Sequence, residues 1–275
     1  MFTFAYNTNG LRKMPFSQAV KRLAQIGYEG IEISLQSEHF TCQDVSLSDL
    51  AAIKKLLKEN NIEVSCIATG DKQLLSLDDF EPSLICGSET GRRQRIDCIM
   101  DACDVASELD CPVVNFASGY KTEDEDFSRK CLLEGITELA DYAKEVGVII
   151  AIEPEPGMYI DTTKKAAELI KTLKKENFLM NLDIGHVECC ENNFLNSVEQ
   201  ALEFTAHIHI EDIKNKVHHH EIPGAGDIDF KRVFQIINRS GYDKAISVEL
   251  YDHADEAENA MKESFDYLTS ILKNL

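Results

Sequence analysis

The sequence predicts an α/β chain folded as a single (β/α)8 barrel over residues 1–275. Three observations lead there. Eight short apolar, β-branched runs recur along the chain, each followed by a polar loop and a helical pattern. The helices end in short turns rather than linkers, which implies parallel strands and right-handed crossovers. No GxGxxG loop follows an early strand, as a doubly wound open sheet would show.

The elements follow in order. Run 3–6 leads to Pro15, which opens the first helix. Run 30–34 precedes a helix capped by Ser46 or Ser48 and running to Asn60. Run 62–68 pairs with helix 92–109, and run 112–117 with helix 127–146. Run 148–153 precedes helix 162–174, with Asp161 as its expected cap. Runs 178–183, 206–210 and 245–251 precede helices 197–205, 230–239 and 256–272. Gly27, Gly147 and Gly241 follow helical patterns and supply the left-handed stop.

Composition narrows the function classes. The longest uncharged apolar stretch, 146–152, is far short of the ~20 residues a spanning helix needs, so no membrane partner is expected. The opening MFTFAYNTNG has no basic and apolar signal pattern, and the nine cysteines show no CxxC. Free, buried thiols and a cytoplasmic location are expected. Lys plus Arg is 28 against 48 Asp plus Glu, a net charge of −20, which argues against nucleic acid as a partner.

The polar residues at strand ends point to chemistry. Apolar runs end in Glu153, Asp183 and Glu249, and a fourth carries His207 and His209. Alternation puts Ala151 with Glu153, Asn181 with Asp183, His207 with His209, and Ser247 with Glu249 on the barrel's inner side. Converging carboxylates repel, and a divalent cation relieves that repulsion. Three oxygen donors and one imidazole suit Mn²⁺ or Mg²⁺, with Co²⁺ or Zn²⁺ compatible. His209, nearer the rim, is the expected ligand, and His207 is expected to sit deeper as a core histidine. The histidines at 218–220 raise a second metal site, but neighbours in an extended loop diverge, so one is expected to point inward. The turn 223–226, Pro-Gly-Ala-Gly, would let backbone approach a ligand closely.

Five segments together resemble the xylose-isomerase-like TIM-barrel superfamily, often labelled sugar phosphate isomerase/epimerase: LAQIGYEGIEI, IEPEPG, NLDIGH, HIHIED with IPGAGDIDF, and GYDKAISVEL. The resemblance covers nearly the whole chain. In its ketose 3-epimerase branch a Glu–Asp–His–Glu set binds one metal and the two glutamates exchange the substrate proton. That pattern implies Glu153, Asp183, His209 and Glu249 as ligands, with Glu153 and Glu249 catalytic. It implies substrate-binding roles for His186, for His220 where the branch has arginine, for Glu155, and for Tyr6 in the opening YNTNG segment. The chain has no Trp to stack on a sugar.

The implied enzyme is a divalent-metal-dependent isomerase or epimerase of a small sugar or sugar derivative. The ion chelates a carbonyl oxygen and the adjacent hydroxyl and stabilises an enediolate. Loss of a β-hydroxyl from that intermediate would instead make a dehydratase or lyase on a keto-sugar or keto-inositol. Apurinic endonucleases share the barrel but use extra histidines on strands 2, 3 and 4, absent here where runs end in Ala68-Thr69 and Asn115-Phe116-Ala117. A non-catalytic sugar-binding barrel is a further alternative. Related barrels pair, so the resemblance admits a homo-oligomer.

Overall fold

The computed structural model describes residues 2–70 and 74–275. The apolar runs form strands β1 (Thr3–Asn7), β2 (Gly30–Ser34), β3 (Glu63–Ala68), β4 (Val113–Ala117), β5 (Ile149–Glu153), β6 (Phe178–Asp183), β7 (Thr205–Ile210) and β10 (Ala245–Val248). They hydrogen-bond in parallel as a closed ring, β1-β10-β7-β6-β5-β4-β3-β2. A short antiparallel hairpin, β8 (Asp212–Lys214) and β9 (Val217–Glu221), is inserted after β7.

The helices between the strands are α1 (Phe16–Ile26), α2 (Leu47–Glu59), α3 (Glu89–Glu108), α4 (Glu125–Val146), α5 (Thr163–Leu173), α6 (Ile184–Cys190), α7 (Phe194–Ala201), α8 (Phe230–Ser240) and α9 (Ala257–Leu272). Helical spacing explains their docking. In α8, Phe230, Val233, Phe234 and Ile237 form one buried stripe, each side chain contributing roughly 1.5–3 kcal/mol of burial. Ile152, Leu182, Ile208, Val248 and Leu250 join the same apolar cluster. Gly27, Gly147 and Gly241 take positive φ at the ends of α1, α4 and α8. No helix among the described residues is long and apolar enough to cross a membrane.

Several boundaries differ from expectation. Ser46, not Ser48, caps α2 and forms a reciprocal box with Asp49. Thr162 caps α5 by accepting from the Lys165 amide, whereas Asp161 faces the ammonium groups of Lys121 and Lys165. The expected helix 197–205 starts earlier, at Phe194, and gives way to a 3-10 turn and then to β7 at Thr205. The last strand stops at Val248, so Glu249 lies just past its end with its amide bonded to the Ile210 carbonyl. All nine cysteines are free, but Cys42, Cys86, Cys189 and Cys190 are only half-buried.

The turn 223–226 serves packing rather than ligand approach. A Cβ at Gly226 would lie 2.3 Å from Asp212 Oδ1, and one at Gly224 would meet the Tyr267 ring. Asp212 is the anchor of this region. Its buried carboxylate accepts from the amides of Ile213 (2.9 Å), Gly224 (2.8 Å) and Ile228 (3.1 Å). It ties the hairpin to the chain that returns to α8. Leaving buried amides without acceptors costs ~1–3 kcal/mol each. Asp212→Ala should therefore lower the unfolding free energy in urea by ~3 kcal/mol or more. A loss below ~1 kcal/mol would show that the three amides find other acceptors.

Candidate metal centre

Alternation along β5, β6 and β7 turns Glu153, Asp183 and His209 to the inside of the barrel at its C-terminal end. Glu249 arrives there from the end of β10. One ligand atom from each of these four lies within 4.8 Å of all the others. His209 Nδ1 is the hub: it lies 3.0 Å from Glu153 Oε1, 3.4 Å from Glu249 Oε2 and 3.7 Å from Asp183 Oδ2.

The ring's other nitrogen fixes how it faces them. His209 Nε2 lies 2.8 Å from Glu32 Oε1, in the middle of β2. A carboxylate accepts, so Nε2 carries the hydrogen. Asn181 Nδ2 approaches His209 Nδ1 at 3.2 Å. Asn181 Oδ1 accepts from His207 Nδ1 at 2.9 Å, which turns the amide NH₂ towards His209. The network thus presents the Nδ1 lone pair to three carboxylates. That arrangement requires a cation between them, either a proton or a metal ion.

Each carboxylate is oriented separately. Glu249 Oε1 accepts from Asn7 Nδ2 (3.0 Å) and Asn9 Nδ2 (2.9 Å), leaving Oε2 to face the centre. Asp183 Oδ1 accepts from the His186 amide at 2.7 Å as the cap of α6. Its Oδ2 is buried and has no hydrogen-bond partner. An orphaned oxygen, a lone pair and two flanking glutamates fit a divalent ion, with three oxygens and one nitrogen as donors.

The surplus of negative charge shows in the proton affinities. Burial works against a charged His209, but Glu249, Glu32 and Glu153 outweigh it and hold the imidazole well above its ordinary value. Burial likewise opposes charge on His186, yet Asp183 and Glu155 push it up to about 9. Burial raises Glu153, with His209 pulling the other way. Burial also opposes ionisation of Glu249, but the His209 charge and hydrogen bonding bring it down to about 2. Burial and the neighbouring Glu153 and Asp183 push Glu155 up to about 8, against the pull of His186. Burial pushes His207 down to about 4, so it sits as a neutral core ring one layer below.

A cavity of about 420 Å³ opens above the centre. Glu153, Glu155, Glu249, His186 and His220 line it, together with His218. Two of the three histidines at 218–220 therefore point inward, not one, because the segment is a strand and alternates. Tyr6 does not reach the cavity. It is fully buried in the outer apolar layer with its ring edge-on to Tyr28, because β1 alternates and Asn7 is the inward residue. Sequence reasoning missed Asn7, Asn9 and Glu32. The signal for Glu32 was a lone acid inside the apolar run GIEIS. Phe80 and Tyr120, ring centroids 5.9 Å apart, give the cavity wall the aromatic surface that no Trp supplies.

A family model described as a xylose isomerase-like TIM barrel matches residues 20–271. Fructoselysine 3-epimerase of Escherichia coli O157:H7 is 22% identical over 249 residues, 88% of each chain. Inosose dehydratase of Clostridium perfringens (strain ATCC 13124) is 22% identical over 266 residues, 85% of this chain and 82% of its own. A crystal structure of the IolI protein with a bound zinc atom superposes with a TM-score of 0.81 at 20% identity, over 99% of both chains.

Metal retention tests the centre. After dialysis, elemental analysis should find Glu153→Gln and Asp183→Asn depleted of the ion and His207→Ala nearly unchanged. Glu32→Gln, which weakens the hold on His209, should lower metal affinity ~10–100-fold. Retention of the ion by both acid variants would remove the assignment, and its loss in His207→Ala but not His209→Ala would reassign the histidine.

Proposed function

The chain belongs to the xylose isomerase-like TIM-barrel family, and from that premise we propose that it is a divalent-metal-dependent isomerase or epimerase of a sugar or sugar derivative. The observation that carries this reading is the meeting of Glu153, Asp183, His209 and Glu249 at the floor of an open cavity. A divalent ion held by these four residues would supply Lewis-acid stabilisation of negative charge developing on substrate oxygens.

The protein's own groups then divide the work. Glu153 stands on β5 and Glu249 follows β10, with β6 and β7 between them in the ring. Their carboxylates thus approach a ligand above His209 from separate directions. One glutamate removes the proton next to the substrate carbonyl, and the other returns a proton to the opposite face or the neighbouring carbon. Asn7 and Asn9 keep Glu249 aimed at the centre. Glu155, His186 and His220 wall the side of the cavity that a substrate must touch.

The lining also speaks to substrate class. Among its described residues Arg12 is the one Lys or Arg, set against Asp79, Glu153, Glu155, Glu249 and Asp252. The Arg12 guanidinium already donates to the Tyr251 carbonyl at 2.5 Å. An unphosphorylated polyol suits that wall better than a sugar phosphate. The relative named inosose dehydratase favours a second reading, in which the same proton removal ends in loss of a hydroxyl.

Unphosphorylated ketoses and keto-inositols should be turned over with Mn²⁺ in D₂O and gain deuterium on the carbon beside the carbonyl. Product analysis separates rearrangement from water loss. Glu153→Gln and Glu249→Gln, each reloaded with metal, should lose ~10²-fold or more in turnover. Wild-type turnover in either reloaded variant would show that glutamate to be a ligand alone.

A further inference from the structure

The end of the barrel opposite the metal centre is open as well. A cavity of about 980 Å³ enters it between the first residues of the strands and the C-terminal end of α2. Val113, Ile149, Ala206 and Ala245 give it apolar inner walls. His207, only 1% exposed, lines it too. Bulky branched side chains ordinarily fill the interior of a (β/α)8 barrel. Here Cys66, Ala151 and Ala206 form a small cluster with Val113, apart from the main core. Their low volume leaves the axis open towards His207 from the N-terminal side.

The imidazole is presented with a fixed polarity. His207 Nδ1 lies 2.9 Å from Asn181 Oδ1, and an amide oxygen only accepts, so Nδ1 carries the hydrogen. In the neutral ring Nε2 is then a bare lone pair. It is buried and has no hydrogen-bond partner among the described residues. A buried acceptor without a donor is costly, so a group that donates belongs against it.

The rest of the lining says what kind of group. Apolar walls do not solvate an ion, so the inner end excludes a charged ligand. Among the described lining residues three lysines stand against four acids, and Lys54 is already paired with Asp110 at 2.7 Å. No net charge therefore calls for an anion or a cation at the mouth. A hydroxyl meets both conditions, because it donates without carrying charge. Further hydroxyls on the same molecule would find the lysines and carboxylates nearer solvent.

We propose that this N-terminal opening is a binding site for a small neutral polyol, one of whose hydroxyls donates to His207 Nε2. The site is separate from the catalytic cavity, with which it shares no lining residue. It stands on its own geometry and needs no particular reaction.

Nitrogen NMR of the histidine rings tests it without any turnover. The free protein should show His207 as the Nδ1–H tautomer. Glycerol should move its Nε2 resonance in the direction of hydrogen-bond acceptance, saturating in the millimolar range. Dimethoxyethane, a small ether with no O–H, should leave the resonance in place. Ala245→Leu, which fills the inner wall, should abolish the glycerol response while still binding Mn²⁺. Glu153→Gln, depleted of the metal ion, should keep the glycerol response. Loss of the response in Glu153→Gln would put glycerol in the catalytic cavity and overturn the proposal. So would an Nε2–H tautomer, a resonance that glycerol does not move, or an equal response to dimethoxyethane. A full glycerol response in Ala245→Leu would do the same. The metal-dependent isomerase reading fails differently, by absence of deuterium exchange with this response intact.

Discussion

Carboxylates facing a common point in a buried pocket repel one another strongly, because little water is present to screen them. Glu153, Asp183 and Glu249 do so around His209, and Glu32 approaches the same ring from behind. Positive charge has to come among them, and much of the C-terminal end of the barrel is arranged around supplying and holding it. The raised proton affinities of His209 and His186 are one expression of that demand. A divalent ion is the stronger answer, since it meets several oxygens at once.

The barrel makes that convergence affordable by distributing it over stiff elements. No two of the four donors share a strand: Glu153, Asp183 and His209 each sit in their own ladder of backbone hydrogen bonds, and Glu249 follows directly on β10. Small polar side chains then set the details. Asn181 orients two imidazoles at once, and Asn7 and Asn9 use up one oxygen of Glu249 so that the other is aimed. Glu32 plays the matching part for His209 from β2. These contacts join residues far apart in sequence, which explains why a closed ring suits this chemistry.

Much of the fold was legible because period-2 alternation and helix stops are local signals. The run ending in Glu153 announces both its strand and its inward face from a handful of residues. The four rim donors could be chosen the same way, and they meet. What escaped depends on distant partners or on short elements. Glu32 reads as a stray acid until His209, 177 positions along the chain, lies against it. Tyr6, given a substrate role through the resemblance alone, lies outside the ring because β1 turns Asn7 inward. Helix α6, of seven residues, is too short for a helical period to show. The segment Val217–Glu221 offers no apolar alternation at all; its strand form depends on the turn at Asn215 and Lys216, both at positive φ, and on Asp212.

The hairpin adds two side chains to a cavity otherwise lined by strand ends and other loops. One wall comes from residues at the ends of barrel strands, where any change disturbs the ring that supports it. His218 and His220 reach the cavity from a ten-residue hairpin, Asp212 to Glu221, which the Asp212 carboxylate helps to hold down. Side chains on β9 can be exchanged without touching a barrel ladder. Exchanges on β9 would therefore reshape the cavity wall while leaving the four donors at its floor in place.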